Sequence, residues 1–496
     1  MEFPHGVEDH KANCMTNRRS LRILATVLWA ALTGMAAAQP GAGAAAERKA
    51  FQFGAEDAAG ALVNDYADRW IEFGRGGVEA FHFLEVVRSD ETIELLDRGR
   101  DIGLRVHAER GEIRLPRSTN WQEWQQGKWT SLDELPLAIR FVPTDQKIRL
   151  VYFVPADRPP IDGYQQRIRV VMQMVAEIFR DDLRAKGYRP DGPSFETDGQ
   201  GEPVVHLVEA KRPAAYYNNA PAFDGVLQFE RIRDEIPPTV GSVRRHMIVL
   251  FAETYDLGPA AIEWNGSAGR GLHLSTDGGL GVMSAWILRD EFCAMTLARQ
   301  KELMFDATPI EGRTAMGSSR PNSPRFEFIE DGFGAVAHEL GHALGLPHDH
   351  REPLDLMGNG FRSLQVNYLP KSKKQGRVTF SRENARLLGV SRYLSKRVDL
   401  TDNVDPTAEI TVRLANGGTV AVVSMKASDN IGLRAAVFLD PQHDTVIGGA
   451  ELKGRNQTLN LKLPLKELKP GDFKLVTMLA DGGGNIANIT TTATSP

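Results

Sequence analysis

Cysteine is nearly missing from this chain: 496 residues contain two, Cys14 and Cys293. Cys14 falls in an N-terminal segment read below as a leader, so Cys293 stands alone in the mature chain and an internal disulfide is excluded. Its neighbours Phe292, Ala294, Met295 and Leu297 mark it as a buried small hydrophobe. A basic surplus is missing too. The formal net charge is −5, which gives nucleic acid no cationic footprint to bind. Apolar runs are short. Ile23 to Leu32 is too brief for a comfortable membrane span, follows Arg18, Arg19 and Arg22, and precedes Ala36-Ala37-Ala38. That order predicts a signal peptide over 1–38 and a secreted or periplasmic chain with no stable membrane insertion after its removal; the competing reading is a transmembrane anchor. Arg18-Arg19-Ser20-Leu21-Arg22 loosely resembles a twin-arginine signal, and Met15 is an alternative start. The remainder, 42% hydrophobic and 25% charged, has the composition of a soluble globular protein, with length for about two to four domains.

The residues with chemistry in them cluster between Asp331 and Gly360. Here His338, Glu339, His342, Gly345 and His348 form His-Glu-x-x-His-x-x-Gly-x-x-His. On a helix, positions i and i+4 share a face, so His338 and His342 can offer two imidazoles to one ion while Glu339 sits beside that face. Gly345 allows the helix to end in a left-handed turn, and Pro347 discourages helix before it, so His348 can return as a third ligand. Three neutral imidazoles leave one tetrahedral position open, the arrangement of a catalytic zinc. Five fixed positions make an accidental match in such a chain roughly a one in ten thousand event. Phe333, Val336, Ala337, Leu340, Ala343 and Leu344 add the apolar stripe of a buried helix.

This stretch, with Leu-Met-Gly at Leu356–Gly358 following His348-Asp349, resembles the metzincin clan of zinc metalloendopeptidases. Its core is similar to matrixins and serralysins, and Asp349 is similar to the residue reprolysins place there. The resemblance implies Zn2+ held by His338, His342 and His348, Glu339 as general base, Met357 as the Met-turn beneath the metal, and a protein or peptide substrate. Asp349 either fixes the loop of the third ligand or is a surface carboxylate. Where astacins and serralysins place a tyrosine two residues after the Met-turn methionine, this chain has Asn359, a minor oxyanion helper or a turn former between two glycines; the next tyrosine is Tyr368. A cysteine-switch inhibitor is excluded, because no cysteine lies between the leader and this core.

The organisation around that core is read from periodicity. Residues 50–140 show short alternating runs such as Ala80 to Val86, Thr92 to Leu96 and Ile102 to Val106, which predict a small β-sandwich or β-roll. Trp70, Trp121, Trp124 and Trp129 fall there, as core filling or as an exposed stacking surface. The catalytic domain is expected over 147–398: a strand at Ile148–Val154, a long helix over Tyr164–Lys186, strands at Val204–Val208 and Met247–Phe251, an irregular insertion from Pro213, and a helical run from Asp290 to Leu303. Leu280 to Leu288 reads as a strand, either the edge that pairs with an extended substrate or an interior one. Arg382 to Leu388 reads as a helix capped by Ser381. Over 405–496 about seven short runs predict an immunoglobulin-like sandwich. Its turns at Ser428–Gly432 and Asp481–Asn485 carry carboxylates that either bind Ca2+ or are solvated turns.

The fold expected is therefore α+β, a metzincin-like twisted mixed sheet with an active-site helix between an N-terminal β domain and a C-terminal immunoglobulin-like sandwich. The function expected is a secreted zinc endopeptidase. Two alternatives stand beside it: a surface- or polysaccharide-binding protein with a weak peptidase, and a peptidoglycan or glycopeptide hydrolase using the same zinc site.

Overall fold

The structure is a computed structural model. It describes residues 48–493 apart from 49, 55–59, 67–68, 75–78, 131–134, 136–145, 189–191, 220–223, 256–268, 317, 319, 370–375, 395–397, 399–401 and 467–471. The expected signal peptide, with Cys14, lies outside the described residues.

The N-terminal alternating runs become β1 (Ala50–Phe53), β2 (Gly60–Tyr66), β3 (Arg69–Phe73), β4 (Glu79–Arg88), β5 (Ile93–Asp97), β6 (Ile102–Val106), β7 (Arg110–Arg114) and β8 (Trp121–Thr130). Each pairs antiparallel with the next, and β1 pairs with both β2 and β8, so the sheet is a closed barrel rather than a sandwich or roll. Closure leaves no edge strand. The seam lies at Phe53, whose partners are Gly60 in β2 and Gly127 in β8. A Cβ on Gly60 would stand 2.5 Å from the Phe53 ring, and one on Gly127 would stand 2.3 Å from the Gln52 carbonyl, so the strands can meet only at glycine. Inside, Phe51, Leu62, Trp70, Ile93, Leu95, Leu104 and Val106 form the core, with Trp124 and Trp129 packed against it. Trp121 is half-buried under the Arg105 guanidinium. Trp70, Trp124 and Trp129 fill space, as one of the two readings had it, whereas Trp121 is no part of that core.

The middle of the chain forms β9 (Arg149–Val154), α1 (Tyr164–Ala185), β10 (Val205–Glu209), α2 (Ala214–Asn218), α3 (Gly225–Arg233), β11 (Met247–Ala252), β12 (Gly269–Ser275), β13 (Gly278–Ser284), α4 (Leu297–Leu303), α5 (Arg325–Ala343) and α6 (Arg382–Leu388). Its sheet has the order β10-β9-β11-β13-β12, parallel except for β12. β9 and β11 read as unbroken apolar runs because both their faces are covered. Leu150, Tyr152, Val249 and Phe251 meet α1 and α5 on one side, and Val151, Phe153, Ile248 and Leu250 meet Tyr217, Phe229 and Ile232 on the other. The stretch from Pro213, expected as irregular, is thus α2 and α3, which cover that second face. The helical run expected from Asp290 begins only at Leu297, where Thr296 accepts from the Arg299 N–H.

The C-terminal strands are β14 (Thr407–Ala415), β15 (Val420–Ser428), β16 (Leu433–Asp440), β17 (Thr445–Glu451), β18 (Asn456–Pro464), β19 (Lys474–Asp481) and β20 (Ile486–Thr492). They form a three-stranded sheet, β14-β15-β18, and a four-stranded one, β17-β16-β19-β20. The outer face of the second sheet is apolar. Ala435, Val437, Val446, Met478 and Ala480 belong to one continuous buried cluster with Leu387 and Leu388 of α6 and Ala337 and Leu340 of α5.

The expected α+β class is corrected by this architecture. The chain is mostly β, a closed eight-stranded antiparallel barrel and three further sheets, with twenty strands and few helices among the described residues. The error has a physical source: the long helical periodicities of Tyr164–Lys186 and of the histidine motif dominated the reading, whereas period-two runs of five to ten residues say little about how strands assemble.

Candidate metal centre

The apolar stripe of α5 is fully buried at Phe328, Ile329, Phe333, Val336, Ala337, Leu340 and Ala343, which fixes the helix in rotation and presents His338 and His342 on one side. The helix stops as its sequence demands. Gly345 has φ +91°, its N–H donates to the His342 carbonyl at 3.0 Å, and the Leu346 N–H donates to the Gly341 carbonyl at 2.9 Å. This six-to-one closure with a left-handed glycine turns the chain back towards the helix, carrying His348 with it.

The three imidazoles converge. Nε2 of His342 lies 3.0 Å from Nε2 of His338 and 3.0 Å from Nε2 of His348. The opposite nitrogen of each ring meets an oxygen: Nδ1 of His338 the Leu356 carbonyl at 2.8 Å, Nδ1 of His342 the Leu346 carbonyl at 2.8 Å, and Nδ1 of His348 the Asp444 carboxylate at 2.6 Å. Each acceptor keeps a proton on Nδ1, so each Nε2 turns a lone pair towards the common centre. Nitrogens about 2.0–2.1 Å from a zinc ion on one tetrahedral face stand about 3.3–3.4 Å apart, close to the spacing here. The donor set and tautomers therefore fit a zinc-type ion. Burial and the neighbouring imidazoles hold His338 down at about 3 and His342 at about 4, so both stay neutral and ligand-ready. Hydrogen bonding to Asp444 raises His348.

Glu339 reaches towards β12. Its Oε2 accepts from the Gly271 N–H at 2.6 Å. β12 presses on the helix here: a Cβ on Gly271 would meet the Glu339 carbonyl at 2.0 Å. Burial pushes the Glu339 carboxyl up to about 7, against the pull of that N–H. Met357 is fully buried with its sulfur under the helix, where a Cβ on Gly341 would stand 2.4 Å from Sδ. Its turn is closed by Met357 N–H to Asp355 Oδ1 at 2.8 Å and by Asp349 N–H to the Met357 carbonyl at 3.1 Å. Asp349 is 1% exposed, and its carboxylate takes both Nε and Nη2 of Arg351, which also reaches Glu383 on α6. It anchors the loop rather than lying on the surface. His350 is exposed, stacks on His348 with centroids 5.3 Å apart, and has no ring nitrogen in the convergent group.

Several neighbours were not foreseen. β12, not β13, is the edge strand next to α5, and β13 is interior between β11 and β12. Gly269 and Gly271, a Gly-x-Gly that signals close backbone approach, were the readable clue. Phe361 packs its ring against His338 with centroids 5.0 Å apart. Asp444 arrives from the turn between β16 and β17, with nothing local to announce it. The carboxylates considered for Ca2+ meet a third: oxygens of Asp402, Asp429 and Asp481 lie within 4.8 Å of one another. Asn485 donates to Asp402 and Asp481, Asn430 donates to Asp402, and the Ile431 and Gly432 N–H groups donate to Asp429.

Tyr368 does not fold over the metal centre. Its ring lies near Lys301, and Glu177 and Asp181 of α1 are the charges that, after burial, raise its hydroxyl. Asn359 is exposed, and its carbonyl accepts from the Arg362 N–H at 3.3 Å, as a turn former does. Tyr368→Phe is accordingly expected to leave kcat unchanged, and Asn359→Ala to lower it by less than about tenfold. Steady-state kinetics with metal content measured alongside checks both; a loss of about a hundredfold in Tyr368→Phe would place the phenol in the reaction.

Further up α5, Glu330 is buried and pushed up to about 7 by that burial, although its Oε1 accepts the Gln365 N–H at 2.7 Å. A carboxyl with a raised folded pKa binds its proton more tightly when folded, so its cost is absent only below the ordinary value of 4.5, grows as pH rises from there to about 7, and is level above that. Glu330→Gln keeps the acceptor and removes the charge. It is expected to raise Tm at pH 8, by an amount worth about 1–2 kcal/mol, and to leave Tm nearly unchanged at about pH 4, below the ordinary value of 4.5. Thermal melts at the two pH values decide it; an equal shift at both would show a packing effect.

No protein-family model and no curated protein matches the chain. Among solved structures, wild-type OgpA from Akkermansia muciniphila in one crystal form is similar at 17% identity and TM-score 0.49, covering 71% of this chain and 95% of that one. A second crystal form of wild-type OgpA gives 17% and 0.48, covering 71% and 94%. Catalytically inactive OgpA in complex with an O-glycopeptide substrate, glycodrosocin, gives 15% and 0.46, again covering 71% and 94%. With TM-scores below 0.5, these likenesses leave the chemistry of this chain to its own site.

Proposed function

We propose that this protein is a zinc-dependent hydrolase of peptide bonds. The observation that carries the reading is the convergence of three Nε2 atoms, each set by an acceptor on Nδ1, beside a half-buried carboxylate that is not one of them. A Zn2+ ion held by His338, His342 and His348 would supply Lewis acidity towards a carbonyl oxygen and towards water. Glu339, its carboxylate aimed by the Gly271 N–H, takes the proton from the attacking water and returns it to the leaving amine. Met357 gives the imidazoles an apolar floor, and Leu356 and Leu346 hold His338 and His342 in rotation through their carbonyls. The metzincin likeness of the motif supports the same assignment of roles.

The test offers the full chain three substrates, with and without a zinc chelator: an unmodified protein such as casein, an O-glycosylated peptide and a muropeptide. Chelator-sensitive cleavage of a peptide bond, restored by added zinc, is the expected result. Preference among the three separates general endopeptidase from glycopeptide or peptidoglycan hydrolysis. Retained binding to sugar or cell-wall material with no cleavage in any arm would overturn the reading in favour of a binding protein. Among the described residues no helix is long and apolar enough to cross a membrane.

A further inference from the structure

The third histidine differs from the other two in what holds it. His338 and His342 are fixed by carbonyls of their own loop, at Leu356 and Leu346. His348 is fixed by a segment 96 residues away, at the start of β17. Three bonds form that grip. Asp444 Oδ2 accepts from His348 Nδ1 at 2.6 Å, the Val446 N–H donates to the His348 carbonyl at 3.0 Å, and the His350 N–H donates to Thr445 Oγ1 at 2.9 Å. The loop from His348 to His350 is thus paired to the sandwich much as one strand is to another.

Two further features show that the contact is built. Asp444 holds φ +48°, a left-handed conformation that a residue with a side chain seldom adopts and that Asp and Asn tolerate best. Such a residue persists where its surroundings fix it. Behind it, Val446 is fully buried in the cluster that joins α6, α5 and the outer face of the β16–β17–β19 sheet. The grip stands on a packed apolar base and not on a loose tether.

We propose that the C-terminal sandwich is a structural part of the metal centre, with Asp444 as the positioning residue that orients His348 for the ion. This rests on the proposed metal centre. Asp444 gives no atom to the convergent group; it acts through the imidazole, fixing the proton on Nδ1 and placing negative charge behind a ligand of the dication that would bind there. The protein's third ligand is then complete only when β17 is docked, which couples zinc binding to the docking of the sandwich.

The experiment uses the full chain and measures zinc affinity by competition with a chromophoric chelator. Asp444→Gly removes the carboxylate while accepting the left-handed backbone; Asp444→Asn keeps an acceptor for Nδ1 and tolerates the same backbone. The side chain is 79% exposed, so neither variant disturbs the core, and melts of the metal-free proteins are expected to coincide with the parent. Zinc Kd is expected to rise about 10–100-fold in Asp444→Gly and by less in Asp444→Asn, the rescue that a hydrogen-bonding role requires. Kd within about twofold of the parent in Asp444→Gly overturns the proposal, as does an equal loss in both variants accompanied by a lowered metal-free Tm. A parent chain that takes up no zinc overturns the metal centre itself, and is distinguished by failing before any variant is made.

Discussion

Replacing Glu339 by alanine is expected to abolish measurable peptide hydrolysis, a fall of about 10²–10⁴-fold, while zinc content stays at the level of the parent. Both halves follow from where the carboxylate sits. It lies outside the group of three Nε2 atoms, so the ligand count is unchanged by its loss. Its Oε2 accepts from the Gly271 N–H, on the edge strand that faces the helix. In the proposed reading this half-buried carboxylate is the base that would serve a water activated by an ion on the three imidazoles. Glu339→Gln is the stricter version, since it keeps the volume and an acceptor for Gly271 and removes only the basic oxygen. Both variants should bind one zinc, melt near the parent and cleave nothing. Activity within about tenfold of the parent would assign the proton transfer elsewhere. Zinc lost along with activity would make Glu339 a ligand or a fold determinant.

The parts of this site that were legible in sequence are those whose physics is local. Helical spacing puts His338 and His342 on one face, and a left-handed glycine returns His348. Each of these needs no more than a few turns of chain. What could not be read is what depends on strand assembly. The short alternating runs of β1 to β8 have the same period in a sandwich and a barrel, and only the seam at Phe53, between Gly60 and Gly127, decides for closure. For β13 the resemblance offered a substrate-facing edge and its apolar run an interior strand, and the interior reading holds; the half-buried, glycine-spaced β12 is the edge. Asp444 was invisible for the same reason. In sequence it is one polar residue in a turn between two strands of a C-terminal sandwich, and its function exists only through the packing of that sandwich on α6 and the loop after His348. The motif's long helices also weighed too heavily on the class assigned to a chain that is mostly β.

His348→Ala is expected to empty the site, and His350→Ala to leave it filled. The two residues are two apart on one loop and their rings stack at 5.3 Å, so proximity alone does not separate them. Direction does. His348 Nε2 stands 3.0 Å from His342 Nε2, with its other nitrogen tied to Asp444, whereas His350 is bound to the sandwich through its backbone N–H. Alanine at 350 keeps that backbone bond and loses a ring that only stacks. Alanine at 348 leaves two imidazoles where three were needed. Removing an outer partner such as Asp444 weakens zinc by up to about a hundredfold, and removing a ligand outright must cost more than that. Zinc measured after gel filtration should fall from about one equivalent to near none in His348→Ala, with hydrolysis lost in proportion. In His350→Ala both should stay within about twofold of the parent. The His348 side chain is 30% exposed, so the alanine variant is expected to fold, and a metal-free melt matching the parent confirms that the lost zinc reflects the ligand and not the fold. The opposite pattern, zinc kept without His348 and lost without His350, would mean that the loop rotates on metal binding and that Asp444 holds it in a waiting position.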